Sequence, residues 1–365
     1  MFCIGIEGTA HTIGVGIIDF SESQRCTVLS DVRNVYKPAS GSGIIPRDAS
    51  QFISDKLPGV LHKALERAGV GMRDIGLVAF SAGPGMGHCL RTAATAARAI
   101  SLHYKIPIIG VNHCIAHLEI ARVTSGRWLR DEFDPLCVYV SGGNTQILKL
   151  KGKYYRIFGE TLDIGLGNML DKFGRVAGFE HPAGPRIEEL ARCGKRYIRM
   201  PYTVKGTDLS FSGLLTKAVN IVKKASFSSG KSPGNLSGNF NENLSGNSQG
   251  NLSDNFIDIS DVCYCLQETA FSMLCEVTER ALAHLNPQLI VLGGGVANNK
   301  RLAQMIGNVA KDHSIEFEVP EKYCSDNGVM IAYLGALMHN GGIRHEIGDT
   351  CVRARYRSDE VAVKW

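Results

Sequence analysis

No two cysteines in the 365-residue chain have the CxxC spacing, although eleven are scattered through it. An odd, dispersed set does not build a disulfide framework. The thiols are therefore expected to be reduced and to act as small buried hydrophobes. Long apolar runs are missing too, the longest falling far short of the roughly 20 residues that cross a bilayer. The chain opens on the strand-like FCIGIEGTAHTIGVGIIDF, without the basic start, apolar core and cleavage site of a leader. The expectation is a cytoplasmic protein, with the nucleus as a second location and no membrane partner. A formal net charge of +5 permits contact with nucleic acid without requiring it. Finally, no GxxxxGK[ST] loop occurs, which removes the P-loop route to nucleotide binding.

Hydrophobic residues make up 44% of the chain, enough for two domains or lobes. Three segments read as glycine-punctuated strands. Phe2 to Phe20 carries EGTAHT between two β-type runs, and Pro135 to Leu150 carries SGGNT in the same way. Pro287 to Asn299 is a strand entering GGGVANN, with a helix from Lys300. Such turns let backbone N–H groups approach an anion closely. The first two segments repeat one strand–turn–strand pattern, each opening a run of alternating strand and helix. This duplication predicts two related α/β lobes around a cleft, with boundaries expected at 1–133 and 134–365. Helices are predicted over Ala49 to Ala68, Cys89 to Tyr104, Ile164 to Arg175 after a turn, Asp261 to Leu285, Lys300 to Asp312 and Asn327 to His339. The last of these is expected to pack back on the first lobe. Ser226 to Asn255 is built almost wholly of Asn, Ser and Gly, with Asn-Leu-Ser recurring at Asn235, Asn243 and Asn251. It has too few apolar side chains to offset its ordering entropy and reads as a disordered loop.

VNHCIAHLEIAR sets His113 and His117 four residues apart, one helical turn, so both imidazoles project from one face. Helices use that spacing to give two ligands to one metal ion. A zinc peptidase would place Glu directly after the first His as general base; Cys114 stands there, and Glu119 lies outside the pattern. Asp326 in CSDNG and Tyr139 on the strand entering SGGNT are further candidate ligands, but spacing does not join them to the histidine pair.

Taken in order, these motifs resemble one family. VNHCIAHLEIAR, YVSGGNTQI, FGETLDIGLGNMLDKFGR, PYTVKGTDLSFSGL, LQETAFSMLCEVTERALAH, GGGVANNKRL, YCSDNGVMIA and RYRSDEVAVKW are similar to the tRNA threonylcarbamoyladenosine transferases. The likeness is to the archaeal and eukaryotic branch, the catalytic subunit of the KEOPS complex. It spans nearly the whole chain outside Ser226 to Asn255. It implies a two-lobed actin-like or hexokinase-like (ASKHA) α/β fold, with two ribonuclease H-like lobes around a nucleotide and metal cleft. Further, it implies that His113, His117 and Asp326 hold one divalent ion, commonly iron or zinc, with magnesium as a third candidate and Tyr139 as an additional contact. Tyr139, Val140, Ser141, Gly142 and Gly143 would line the phosphate region, and Asp171, Gly184, Glu188 and Asn298 the nucleoside of an ATP- or AMP-type ligand.

The implied reaction moves a threonylcarbamoyl group from threonylcarbamoyl-AMP to N6 of the adenosine 3′ of the anticodon. An electrophile already activated by adenylation needs no water-activating base, which accords with Cys114 in place of Glu. The implied partners are tRNA, a kinase-like ATPase subunit, a small dimerising subunit and a separate synthetase that makes the donor. Lys149, Lys151, Lys153 and Arg156, then Lys195, Arg196 and Arg199, then Arg353, Arg355 and Arg357 are candidate phosphate contacts. Ala82 departs from the pattern, since relatives often carry Lys or Gln before the GPGMG turn. A sugar-kinase-like phosphotransferase, a metallopeptidase and a non-enzymatic actin-like scaffold are the rival readings.

Overall fold

The structure, a computed structural model, describes residues 1–20, 26–39, 41–125, 135–229, 240–241 and 256–365. Strands β1 (Phe2–Glu7), β2 (Thr12–Phe20) and β3 (Cys26–Val35) form an antiparallel meander. Helix α1 (Pro46–Ala68) follows, starting at a proline, whose missing N–H and fixed φ suit a first helical position. Next come β4 (Ile75–Gly83), α2 (Gly87–Tyr104) and β5 (Ile108–Asn112). Both strands run parallel to β1, giving a five-stranded sheet in the order β3-β2-β1-β4-β5. Two short helices, α3 (His113–Glu119) and α4 (Ala121–Ser125), lead out of it.

The second half repeats this plan. Strands β6 (Leu136–Val140), β7 (Thr145–Lys151) and β8 (Tyr154–Glu160) are again an antiparallel meander. After them come α5 (Leu166–Val176), α6 (Gly184–Ala191), the hairpin of β9 (Val204–Lys205) and β10 (Asp208–Leu209), and α7 (Ser212–Ser229). β11 (Phe240–Asn241) pairs with β12 (Phe256–Ile257), and α8 (Ile259–Leu285) follows. Then β13 (Leu289–Gly293), α9 (Lys300–Asp312), β14 (Glu316–Glu318) and α10 (Gly328–Asn340) complete the chain's main elements. β13 and β14 run parallel to β6, and the order β14-β13-β6-β7-β8 matches that of the first sheet.

Strand alternation sorts the core into layers. Ile4, Ile6, Val15 and Phe80 face α1 and α2. Cys3, Ile18, Leu77 and Val111 face the other way, onto α3 and α10, which also receive Cys137, Tyr139 and Val291 from the second sheet. Leu136, Val138 and Val140 turn from that layer toward α5, α7 and α8. The helix expected over 327–339 thus lies between the sheets, against β1, β2 and β4. Of the stretch read as a loop, Ser226 to Ser229 instead continue α7, while Phe240–Asn241 pairs with Phe256–Ile257. The rest of that stretch, like the expected lobe boundary at 133/134, lies outside the described residues.

Candidate metal and nucleotide site

β5 ends at Asn112, and α3 begins at the next residue because the Asn112 side chain caps it, accepting from Ile115 N at 3.1 Å. This fixes His113 and His117 one turn apart in the layer between the sheets. Asp326 reaches them from the turn before α10. Asn327 braces that turn: its Oδ1 accepts from Met330 N at 2.9 Å, and its Nδ2 donates to Tyr323 O at 3.1 Å and Ser325 O at 2.8 Å. Asp326 Oδ1 lies 3.2 Å from His117 Nε2 and 3.5 Å from His113 Nε2. The three ligand atoms fall within 4.8 Å of one another. Tyr139 comes from β6, its ring centroid 5.6 Å from that of His117. Its hydroxyl is buried without a hydrogen-bond partner, as is His117 Nδ1.

Glu7, at the end of β1, completes the arrangement and was not legible in the sequence. It has no exposed surface, and its Oε2 lies 3.0 Å from His113 Nδ1. Its Oε1 accepts from Thr9 N at 2.8 Å and from the Thr9 hydroxyl. A carboxylate on Nδ1 orients the ring and leaves Nε2 for a ligand. Burial opposes charge on His113, but the Glu7 carboxylate, with Asp326 behind it, raises its pKa to about 9. For His117 burial prevails and lowers the pKa. Burial also opposes charge on Asp326, yet the hydrogen bond with His117 and the His113 charge hold it well below the usual carboxylate range.

Glu119, the single acid of α3, points elsewhere. It is fully buried, accepts from the Tyr155 hydroxyl at 2.7 Å and pairs with Arg122 at 2.6 Å.

A cleft of about 570 Å³ opens beside Asp326. Ser141, Gly142, Asp171, Gly184, Glu188 and Asn298, all singled out above, line it. Tyr139 and Val140 do not; both side chains are in the core. Gly143 is not among the lining residues either, and is exposed at the turn. The cleft lies past the carboxyl ends of β1, β6 and β13, where open α/β sheets bind ligands. Gly294, at φ 93°, lets the third turn pass against Val140 O and the Tyr139 ring, where a Cβ would overlap the carbonyl. Asp171 Oδ1 accepts from Ala183 N at 2.8 Å, and Oδ2 lies 3.5 Å from His181 Nδ1. Glu188 Oε1 accepts from Lys300 N at 3.2 Å and from Arg192 at 2.7 Å. Asn298 donates to Gly295 O at 3.1 Å and to the Ser325 hydroxyl at 2.9 Å. His11, Arg33 and His181 also line the cleft; His11 sits in a turn read for its glycine, whereas Arg33 and His181 lie in stretches that no motif marks.

The basic clusters fare unevenly. Lys149 is buried and donates to Leu285 O at 3.1 Å, so it is not a phosphate contact. Arg353 pairs with Glu360 and stacks on Tyr356, and Arg357 pairs with Asp359 at 2.9 Å. Ala82 is buried, next to Gly83 at φ 144°. Among the described residues no helix is long and apolar enough to cross a membrane.

Comparison with solved structures supports the fold. HypF of Thermococcus kodakarensis superposes with a TM-score of 0.55 at 14% identity, covering 93% of this chain and 48% of that one. Component A of the Acidaminococcus fermentans (R)-2-hydroxyglutaryl-CoA dehydratase gives 0.51 at 11%, covering 92% and 98%. These show the two-lobed actin- and hexokinase-like architecture alone. Sequence comparison goes further. The tRNA N6-adenosine threonylcarbamoyltransferase of T. kodakarensis is 47% identical over the whole of both chains, and that of Methanopyrus kandleri 46% over all of this chain and 96% of its own. A probable bifunctional tRNA threonylcarbamoyladenosine biosynthesis protein of Methanothermobacter thermautotrophicus is 45% identical over all of this chain, which spans 61% of that relative. The family profile for tRNA N6-adenosine threonylcarbamoyltransferase covers residues 27–333, from β3 through the histidine pair and the cleft into α10. The chain therefore belongs to the tRNA N6-adenosine threonylcarbamoyltransferase family, a family of transferases.

Proposed function

We propose that the chain transfers a threonylcarbamoyl group from threonylcarbamoyl-AMP to N6 of the adenosine 3′ of the anticodon, in tRNAs reading codons that begin with adenine. It does so as the catalytic subunit of the KEOPS complex. The observation that carries this reading is the convergence of His113, His117 and Asp326 beside a nucleotide-sized cleft, in a chain 47% identical to a transferase of that name.

In this reading His113, His117 and Asp326 hold one divalent ion, iron, zinc or magnesium, with Tyr139 as a neighbouring contact. Two imidazole nitrogens and a carboxylate oxygen suit a borderline cation. The fit is supported by the crowding of both Nε2 atoms on one Asp326 oxygen and by the orphaned Tyr139 hydroxyl. When bound, the ion supplies a Lewis acid beside the charge that develops on the anhydride.

The chain's own residues do the rest. Glu7 holds the His113 ring in place. Ser141 and Gly142 present a backbone turn to the donor phosphate; the Ser141 N–H is committed to Asn144 O at 2.8 Å, which leaves the Gly142 N–H as the donor assigned to the phosphate charge. Asp171, Gly184, Glu188 and Asn298 position the adenylate, which fixes the carbamoyl carbon for attack. N6 of the acceptor bonds to that carbon, the carbon–oxygen bond to phosphate breaks, AMP leaves, and N6 gives up a proton. Water is a competing nucleophile, and neither Cys114 nor Glu119 of α3 is placed to act as its base. The Cys114 thiol is pushed up to about 11 by burial, and Glu119 is tied to Tyr155 and Arg122.

A kinase-like ATPase subunit, a small dimerising subunit and a separate synthetase complete the proposed system. The longer bifunctional relative, of which this chain spans 61%, supports a working association with further components. The test supplies the chain and these partners with tRNA and fresh threonylcarbamoyl-AMP, then quantifies modified nucleosides by mass spectrometry. N6-threonylcarbamoyladenosine is the expected product. Its absence, with partners and tRNA verified, favours the phosphotransferase or scaffold reading.

A further inference from the structure

A second cavity, of about 210 Å³, adjoins the cleft and, Asp171 apart, is lined by none of the residues assigned to the donor. One lip is formed by Lys37 and Pro38 after β3, the other by Arg175 on α5 and the loop carrying Phe179. Asp171 and His181 line both cavities and so form their common wall. The transfer joins two nucleosides, the adenylate of the donor and the adenosine of the tRNA. The two cannot occupy one position, and N6 must still reach the carbamoyl carbon. The acceptor therefore needs a separate pocket that shares a wall with the donor cleft, and this cavity meets that condition.

We propose that the 210 Å³ cavity receives the acceptor adenine of tRNA, an assignment that rests on the transfer reading above. Its volume admits a purine ring. Pro38 and Phe179 offer apolar faces for the ring, and a base withdrawn from its neighbours regains stacking there. Phe179 is itself braced edge-on by Phe173, with centroids 6.4 Å apart. Lys37 and Arg175 lie at the rim, where the flanking phosphates would pass. The Arg175 guanidinium reaches to Gly43, close enough that a Cβ there would meet it. The common wall is the His181 imidazole, with Asp171 Oδ2 3.5 Å from its Nδ1 and His11 edge-on at 5.2 Å.

The test uses the assembled complex and a short anticodon stem–loop RNA carrying 8-azidoadenosine at the acceptor position. After irradiation, adducts are expected in the peptides that contain Pro38 or Phe179. Replacing Lys37 and Arg175 together by Met is expected to raise the KM for tRNA about tenfold or more, from the lost phosphate contacts. The KM for threonylcarbamoyl-AMP and the bound metal should stay at wild-type levels. Adducts elsewhere in a complex that modifies the unlabelled stem–loop overturn the pocket assignment while leaving the transfer reading intact. A wild-type complex that modifies no RNA overturns the transfer reading, and the pocket assignment falls with it.

Discussion

Glu7 shows how a residue can matter without meeting a ligand. Fully buried, it holds His113 by its Nδ1 at 3.0 Å, so its charge sets the direction of the opposite nitrogen. Glu7→Gln keeps the size and removes the charge. Metal affinity, measured by competition with a chromogenic chelator, is expected to fall about 10- to 100-fold, with the melting temperature little changed. Unaltered affinity would show that Glu7 only fills space. His117→Ala removes one of three ligands, and the same titration should show stoichiometric binding abolished while AMP still binds the cleft in calorimetry. The histidine pair was legible in the sequence because its spacing is local. Asp326 could not be joined to it by spacing, since 209 residues separate it from His117 and only folding closes that gap. Glu7 was hidden in a segment read for its glycine.

At the scale of elements, the site depends on how closely α10 sits on the first sheet. Gly5 and Gly16 lie directly under it, and a Cβ on either would overlap the backbone of Ala332 or Val329. Gly16→Ala must therefore push the helix outward and, with it, the turn bearing Asp326. A loss of about 1–3 kcal/mol is expected in denaturant unfolding, together with weaker metal binding. Stability lost without any change in metal affinity would detach the site from this packing. Strongly patterned elements were legible: Lys300–Asp312 is found with the expected bounds, capped by Asn299, whose Oδ1 accepts from Arg301 N and Leu302 N. β3 went unread because its burial is irregular and Asp31, Arg33 and Asn34 interrupt its apolar positions. The start of α1 was set three residues late because Pro46 stands at its first turn.

For the whole molecule, the repeated glycine hairpins did point to two lobes, and both sheets share one strand plan. What composition could not convey is the middle layer, where α3 and α10 are enclosed by both sheets. The ligands come from that layer, so the lobes and the site are expected to lose structure together. The described parts of the Asn/Ser/Gly stretch are the end of α7 and one short strand pair. Asn241 and Phe256 are paired neighbours, so residues 242–255 can be replaced by an Asn-Gly turn. Thermal stability and transfer rate should be unchanged, and a loss of transfer with stability intact would assign the stretch to partner or tRNA binding.

The most direct test of the central claim is a metal titration of transfer. The complex is stripped with a chelator, its residual metal measured, and N6-threonylcarbamoyladenosine formation followed as iron, zinc or magnesium is returned, for wild type and His117→Ala. Wild-type activity that recovers and saturates at one ion per chain, with none recovered by the variant, is the predicted result. Full transfer by the stripped wild type, or equal recovery by His117→Ala, would contradict it.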